Sequence, residues 1–376
     1  MAHLYVLPRF AVISGYEHQA FIPYTDLFAT PSTINLGTAG DLEEMNHLGA
    51  SGLQRGARAQ VLQCTVTDIT KTHITYTTTS DNGLTGTHQL QYSYMVFAAG
   101  SRLPRPLIRL PANKSDASQW LGGVQATVAK STKIMVVGGG PLGIQFASDI
   151  KAAYPTKEVT LVVSRSRLLP SFDEKMHLLI STQMESLGVN VIYNDRVSDI
   201  DAFEQERAKH IGRMMSVTLR SGRVVDSDLQ ILAIGQRPNH ELLSSVEPTL
   251  LSSENSLKVL PTLQLDHPDW SHVFAIGDVA QTGAVKVGYM ALAQADIASS
   301  NIVELVQCGG RGSERNLKSY EPAKPEIKVT VGLTTMVSQR IGGDGNYEWS
   351  TSETPKDLHT AFMWSAYGAD PTDMTL

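Results

Sequence analysis

The stretch Lys133-Ile134-Met135-Val136-Val137-Gly138-Gly139-Gly140-Pro141-Leu142-Gly143 decides the fold. A β-branched apolar run stops on a glycine cluster and reopens as the amphipathic pattern Leu142, Ile144, Phe146, Ala147 and Ile150, which predicts strand, tight turn and helix. Gly138, Gly140 and Gly143 stand at GxGxxG spacing. At that spacing the first glycine permits the turn, the second lets backbone approach a pyrophosphate, and the third lets helix pack on strand. The pyrophosphate would sit at the positive end of the helix. Pro141 suits this, because the first turn of a helix can spare its N–H. Glycine-rich turns are often only turns; the strand before this one and the amphipathic helix after it favour a dinucleotide cradle.

Downstream, residues 159–163 read as a second strand that completes a βαβ half. In NAD-selective folds an acid at this strand's end binds the ribose 2′-hydroxyl. Here the run is Val163-Ser164-Arg165-Ser166-Arg167, without an acid and with two arginines. Ser164 and Arg165 are therefore candidate cofactor contacts, and a 2′-phosphate matches them better than a free hydroxyl. NADPH is favoured over NADH, the plainer alternative being a basic exposed loop. Ser171 and Glu174 are spaced as a capping box before a helix with an apolar stripe of Phe172, Met176, Leu179, Ile180, Met184 and Leu187, ended by Gly188. Strands are expected at residues 189–193, 214–219 and 224–225.

Residues 229–235 form an apolar run that ends on the small residue Gly235, and residues 95–100 do the same with Ala98, Ala99 and Gly100. Such endings let backbone come close to a ligand, although many buried strands end in this way. Two of them flanking a GxGxxG unit form a faint internal repeat, which suggests two similar nucleotide-binding domains, one inserted in the other. A further strand at residues 273–276 runs into Gly277-Asp278. An acid there can bind polyol or ribose hydroxyls, or merely cap the following helix. That helix is expected over residues 289–306, with Ala291, Ala295, Ile302 and Leu305 inward.

The 376 residues suggest two or three domains, and 42% hydrophobic with 18% charged residues is ordinary for a globular chain. A net charge of −6 argues against a nucleic-acid partner or an anionic membrane surface. There is no apolar run of the ~20 residues a bilayer span needs, and Met1-Ala2-His3 opens neither a signal peptide nor a myristoylation site, so a cytoplasmic location is expected. Cys64 and Cys308 form no CxxC pair and read as inert buried thiols. Asp266-His267-Pro268-Asp269 reads as a turn, and no metal site is expected. At the front, residues 3–7, 11–13 and 21–24 read as irregular structure and short strands. Residues 61–92 read as a small β meander turning at Asp81-Asn82-Gly83, and residues 101–129 as a linker rich in proline and polar residues. The tail from Tyr320 reads as a small β-containing module with a turn at Gly342-Gly343-Asp344-Gly345.

Taken together, residues 92–101, 133–167, 229–238 and 273–301 resemble flavoproteins with two dinucleotide-binding domains, the pyridine nucleotide-disulphide oxidoreductase superfamily. Local phrases are similar to the fungal apoptosis-inducing-factor-like (mitochondrion-associated inducer of death) family. They include Gly143-Ile144-Gln145-Phe146-Ala147-Ser148-Asp149, Tyr154-Pro155-Thr156-Lys157-Glu158-Val159, Phe274-Ala275-Ile276-Gly277-Asp278 and Gly15-Tyr16-Glu17-His18-Gln19-Ala20-Phe21. The resemblance implies an α/β protein with two Rossmann-like domains and a small C-terminal β-containing module. Its parts would be an FAD domain over residues 1–128 and 244–319, an NAD(P)H domain over 129–243, and the module over 320–376.

It further implies hydride transfer from nicotinamide to FAD and onward passage to a quinone or other small-molecule acceptor, with peripheral association to a membrane or mitochondrion as the alternative to a purely cytoplasmic location. Asp278 would bind the flavin ribitol, while Ala98, Ala99, Gly100 and Gly277 approach FAD. Gly138, Gly140, Gly143 and Gly235 would hold NAD(P)H. Gln145 stands where many relatives carry a glutamate near the flavin and nicotinamide, and is the candidate catalytic residue, orienting the nicotinamide. Val163 and Gln19 replace a common His and Lys. Relatives open with a strand, a GxGxxG helix and an acid-ended strand, and this chain is expected to start after that unit. The pyrophosphate contacts of that unit are worth roughly 3–8 kcal/mol, or about two to six decades of affinity. Two functions follow as expectations: an FAD-dependent NAD(P)H oxidoreductase, or a redox-inactive NADP(H)-binding or scaffolding protein. Nothing in the sequence indicates an oligomeric state.

Overall fold

The computed structural model describes residues 2–23, 60–79, 83–103, 111, 113–210, 212–309 and 316–375. They fall into two compact units. Unit 1 comprises Met1–Ala57, Leu103–Gly235 and Glu326–Leu376, and unit 2 comprises Arg58–Arg102 and Gln236–Pro325.

At the heart of unit 1 is a four-stranded parallel sheet, ordered Leu229–Leu232, Lys133–Val137, Glu158–Val162, Asn190–Ile192. Near-continuous apolar strands are what a parallel sheet covered on both faces requires. Met135, Val137, Val162, Ile192 and Leu232 bury together with Val197, Phe203 and Val217. Each such side chain contributes roughly 1.5–3 kcal/mol on burial.

The helix Pro141–Ala153 follows the glycine turn, with proline in its first turn as expected. The next helix, Glu174–Leu187, starts on Asp173 rather than on the expected Ser171 box: the Asp173 carboxylate accepts from Lys175 N–H at 2.9 Å. Gly188 ends it in the left-handed region, at φ 79°.

The helix Ile200–Lys209, the antiparallel pair Met215–Thr218 with Val224–Ser227 and three further segments also belong to unit 1. Where a linker was expected, Lys114–Lys130 is a helix, its N-terminus capped by Asn113 Oδ1 accepting from Asp116 N–H at 2.8 Å. Its buried residues Ala117, Leu121, Gln125 and Val128 keep helical spacing. Residues 104–110 and 112 of the expected linker lie outside the described residues. The front of the chain forms a short helix, Leu7–Phe10, and a 3₁₀ turn, Glu17–Ala20, instead of the expected short strands. Pro8 explains part of this, since it cannot donate to a ladder but suits a first helical turn. Tyr24, and Asp81-Asn82 of the meander turn, also lie outside the described residues. The tail is an antiparallel sheet, Ile327–Val331, Thr335–Ile341 and Tyr347–Glu353, followed by the helix Thr360–Ala366. Its turn closes where expected, Gly345 N–H donating to Gly342 O at 2.9 Å.

Unit 2 contains the antiparallel meander Thr65–Ile69, His73–Thr79, Thr85–Gln91 and a parallel pair, Met95–Phe97 with Val273–Ala275. Ile69, Phe97, Leu250, Trp270 and Val273 are buried in its core. The helix Gly288–Gln307 buries Met290, Ala298 and the expected Leu305, the expected Ala295 and Ile302 pack partly buried against the same core, and two polar residues, Gln294 and Asn301, are buried beside them. Both are paired: Gln294 Oε1 accepts from Gly277 N–H at 2.7 Å, and Asn301 Oδ1 accepts from Lys318 N–H at 2.7 Å. Cys64 and Cys308 are exposed, contrary to the expectation of buried thiols, because each lies beyond the end of an element, where no core covers it. Among the described residues no helix is long and apolar enough to cross a membrane, and no cluster of metal-ligating side chains occurs.

Candidate functional site

In unit 1 the strand Lys133–Val137 delivers Gly138 at φ +125°, a conformation L side chains rarely adopt. A Cβ there would lie 2.2 Å from the Ala233 carbonyl oxygen, and one at Gly143 would lie 1.9 Å from the Gly138 carbonyl oxygen. Those two glycines are required by the fold itself. Gly140 differs: it is the N-cap of the cradle helix, no side chain caps it, and a Cβ there would meet nothing within 4 Å. Open space over an uncapped helix start, next to a strand-to-helix turn held by packing, is where an anion can approach backbone N–H groups. Gly235, at φ +108° and likewise unobstructed, follows the neighbouring strand of the same sheet.

At the end of the strand Glu158–Val162, Val163 is buried while Ser164 and Arg165 are exposed. The chain is pinned there by Asp195 N–H donating to Val163 O at 3.2 Å and Asn194 N–H donating to Arg165 O at 3.1 Å. Gln145 is 5% exposed, and its Nε2 donates to Thr330 Oγ1 in the C-terminal sheet at 3.1 Å. The structure thus groups Gly138, Gly140, Gly143, Ser164, Arg165, Gly235 and Gln145 in one unit.

Sequence reasoning missed a buried ion pair on the cradle helix. Arg9 Nε donates to Asp149 Oδ2 at 2.8 Å, with both side chains fully buried. Burial pushes the Asp149 carboxyl up to about 7 against the opposing pull of Arg9. Nearby Tyr5 is raised to about 12, chiefly by burial, and burial lowers His3 to about 4. The available signal was the polar pair Ser148-Asp149 between the apolar positions Ala147 and Ile150.

In unit 2 the parallel pair places two loop starts together, Ala98-Ala99-Gly100 after one strand and Gly277-Asp278 after its neighbour. Ala98 and Ala99 are exposed, and Gly100 is half-buried. Asp278 does not cap the short 3₁₀ turn Gly277–Val279; its Oδ2 accepts from Ser101 Oγ at 2.7 Å. Asn239, which no sequence pattern marked, braces the first loop: its Nδ2 donates to Ala99 O at 2.8 Å and its N–H to Gly100 O at 3.0 Å. A small cleft beside Asp278 is lined by Thr282, Lys286 and Gln294. Exposed small residues beside a half-buried carboxylate can seat a polyol against backbone and accept its hydroxyl protons.

With this geometry in place, a family profile described as pyridine nucleotide-disulphide oxidoreductase matches residues 21–301. Fe-regulated protein 8 of Mycosarcoma maydis is 32% identical, over 99% of this chain and 87% of its own length. Ferroptosis suppressor protein 1 of Homo sapiens is 30% identical, over 77% of this chain and 75% of its own. A crystal structure of a ferredoxin reductase from Rhodopseudomonas palustris shares the fold at a TM-score of 0.53 and 17% identity; the match covers 73% of this chain and 63% of that one.

Proposed function

Since the chain belongs to the pyridine nucleotide-disulphide oxidoreductase family, we propose that it is an FAD-dependent NAD(P)H oxidoreductase that passes electrons from a nicotinamide to a quinone-like acceptor. The residues proposed for the nicotinamide cofactor, Gly138, Gly140, Gly143, Ser164, Arg165 and Gly235, lie in unit 1. Those proposed for FAD, Ala98, Ala99, Gly100, Gly277 and Asp278, lie in unit 2. The observation that carries the reading is Gly140, the one fingerprint glycine that packing does not demand and whose side-chain space is open.

Backbone N–H groups at the start of the cradle helix would bind the pyrophosphate, and Arg165 the ribose 2′-phosphate, which favours NADPH over NADH. Flavin, when bound, accepts hydride and releases electrons singly or in pairs. Asp278 would accept hydrogen bonds from ribitol hydroxyls, with Ser101 fixing its carboxylate. Gln145, tied to Thr330, would hold the cradle helix in register with the C-terminal sheet and orient the nicotinamide. Cys64 and Cys308 form no CxxC pair, which favours a diffusible acceptor over an internal dithiol relay.

The test is titration of the purified chain with NADPH and NADH, then reconstitution with FAD followed by absorbance at the flavin bands and quinone-dependent NADPH oxidation. Nucleotide binding without flavin uptake would support the redox-inactive NADP(H)-binding alternative. Arg165→Ala is expected to weaken NADPH roughly tenfold, the loss of one charge-assisted contact, and to change NADH little. Asp278→Ala is expected to lower FAD retention on a desalting column without changing NADPH affinity.

A further inference from the structure

His177 lies on the helix Glu174–Leu187, outside the apolar stripe and outside every motif read from the sequence. It faces the arm that leaves the strand Glu158–Val162 at its carboxyl end, where α/β sheets bind ligands. The arm is fixed at three points: Asn194 N–H donates to Arg165 O at 3.1 Å, Leu169 N–H donates to Gly139 O at 3.1 Å, and Leu168 N–H donates to His177 Nδ1 at 3.3 Å. Leu168 is fully buried, and Leu169 is held at φ 48°, a left-handed conformation that a leucine keeps only when its surroundings impose it.

The imidazole also meets the ring of Tyr193 edge-on, with centroids 5.7 Å apart, and Tyr193 precedes the Asn194 that holds Arg165. One ring therefore supports the arm at both ends. We infer that His177 is a positioning residue for selection of the 2′-phosphorylated cofactor, presenting Arg165 to the phosphate by fixing the Leu168 and Asn194 ends of the arm. This rests on reading the glycine turn as an NAD(P)H cradle.

The role requires a ring nitrogen that accepts, so Nδ1 is unprotonated and Nε2 carries the proton. Burial lowers the His177 pKa; Glu174 on its own helix opposes this and Arg167 on the arm adds to it, with Tyr193 completing the titratable surroundings. The ring is thus neutral at pH 7 and able to accept.

Two substitutions separate the acceptor from the ring. His177→Phe keeps an aromatic ring against Tyr193 and removes the acceptor; His177→Asn loses the ring but places an amide oxygen close to where Nδ1 stood. Dissociation constants for NADPH and NADH, from nucleotide fluorescence titration of the whole chain, are the readout, with thermal melting to confirm that each variant folds. His177→Phe is expected to raise the NADPH constant about tenfold, one lost hydrogen bond's worth, and the NADH constant less than about twofold. His177→Asn is expected to keep NADPH within about threefold of the parent by restoring an acceptor. Equal weakening of both nucleotides by His177→Phe, or unchanged NADPH binding, would overturn the inference. A parent protein that binds neither nucleotide would instead overturn the cradle reading, whereas equal parental affinity for both would overturn the phosphate role of the arm and leave the cradle standing.

Discussion

Gly143→Ala is expected to unfold the cradle and abolish dinucleotide binding, while Gly140→Ala is expected to cost binding alone. A methyl at Gly143 would sit 1.9 Å from the backbone oxygen of Gly138, so helix and strand must separate. Overpacking typically costs 1–3 kcal/mol and more where backbone must move; here roughly 3 kcal/mol or more is expected, seen as a lower melting temperature. A methyl at Gly140 meets no protein atom within 4 Å and leaves φ at −83°, which alanine tolerates. It occupies only the space through which a pyrophosphate would reach the helix N–H groups. Loss of one or two charge-assisted hydrogen bonds then weakens NADPH by about a hundredfold at unchanged melting temperature. Calorimetric titration and melting of both variants test this directly. If Gly140→Ala binds NADPH as tightly as the parent, the open space over the helix start is not a phosphate site.

The same contrast explains what could be read in the sequence. The strand, turn and helix were legible because the GxGxxG spacing records the packing needs of Gly138 and Gly143 in a single short segment. The C-terminal sheet and the meander were legible from β-branched runs and glycine turns. The helix Lys114–Lys130 was not, because Gly122-Gly123 sits in its middle and its buried stripe includes Gln125, which is satisfied by Phe10 O and Ile13 O more than 100 positions away. Among the candidate sites, Asp278 was legible as an acid at a strand end, but its choice of Ser101 over a helix cap depends on the parallel pairing of strands far apart in sequence. His177 and Asn239 carried no signal, since each acts on backbone groups that only the folded loops bring to it.

Arg9→Met is expected to destabilise unit 1 by about 3–5 kcal/mol, the usual cost of breaking a buried ion pair from one side, and to lower its melting temperature by on the order of 10 °C. The guanidinium serves three acceptors in two segments at once: Nε donates to Asp149 on the cradle helix, Nη1 to Leu333 O and Nη2 to Gly332 O at the start of the C-terminal hairpin turn, all within 2.8 Å. Removing it leaves a buried carboxylate and two carbonyls without donors. Arg9→Lys is expected to recover little, because an ammonium cannot reproduce the planar fork that spans these acceptors. The pH dependence has a definite sign. Asp149 already has its folded pKa raised to about 7, above the ordinary carboxylate value, so its contribution to stability falls as pH rises through the interval between them. Without Arg9 the opposing attraction disappears and the folded pKa rises further. Above pH 7 the variant therefore keeps losing stability where the parent no longer does, and the melting-temperature gap should widen as pH increases. Melting curves of parent and variant from mildly acidic to mildly alkaline pH measure that gap. A constant gap would mean that the ionisation of Asp149 does not depend on Arg9, and that the arginine acts through the two carbonyls alone.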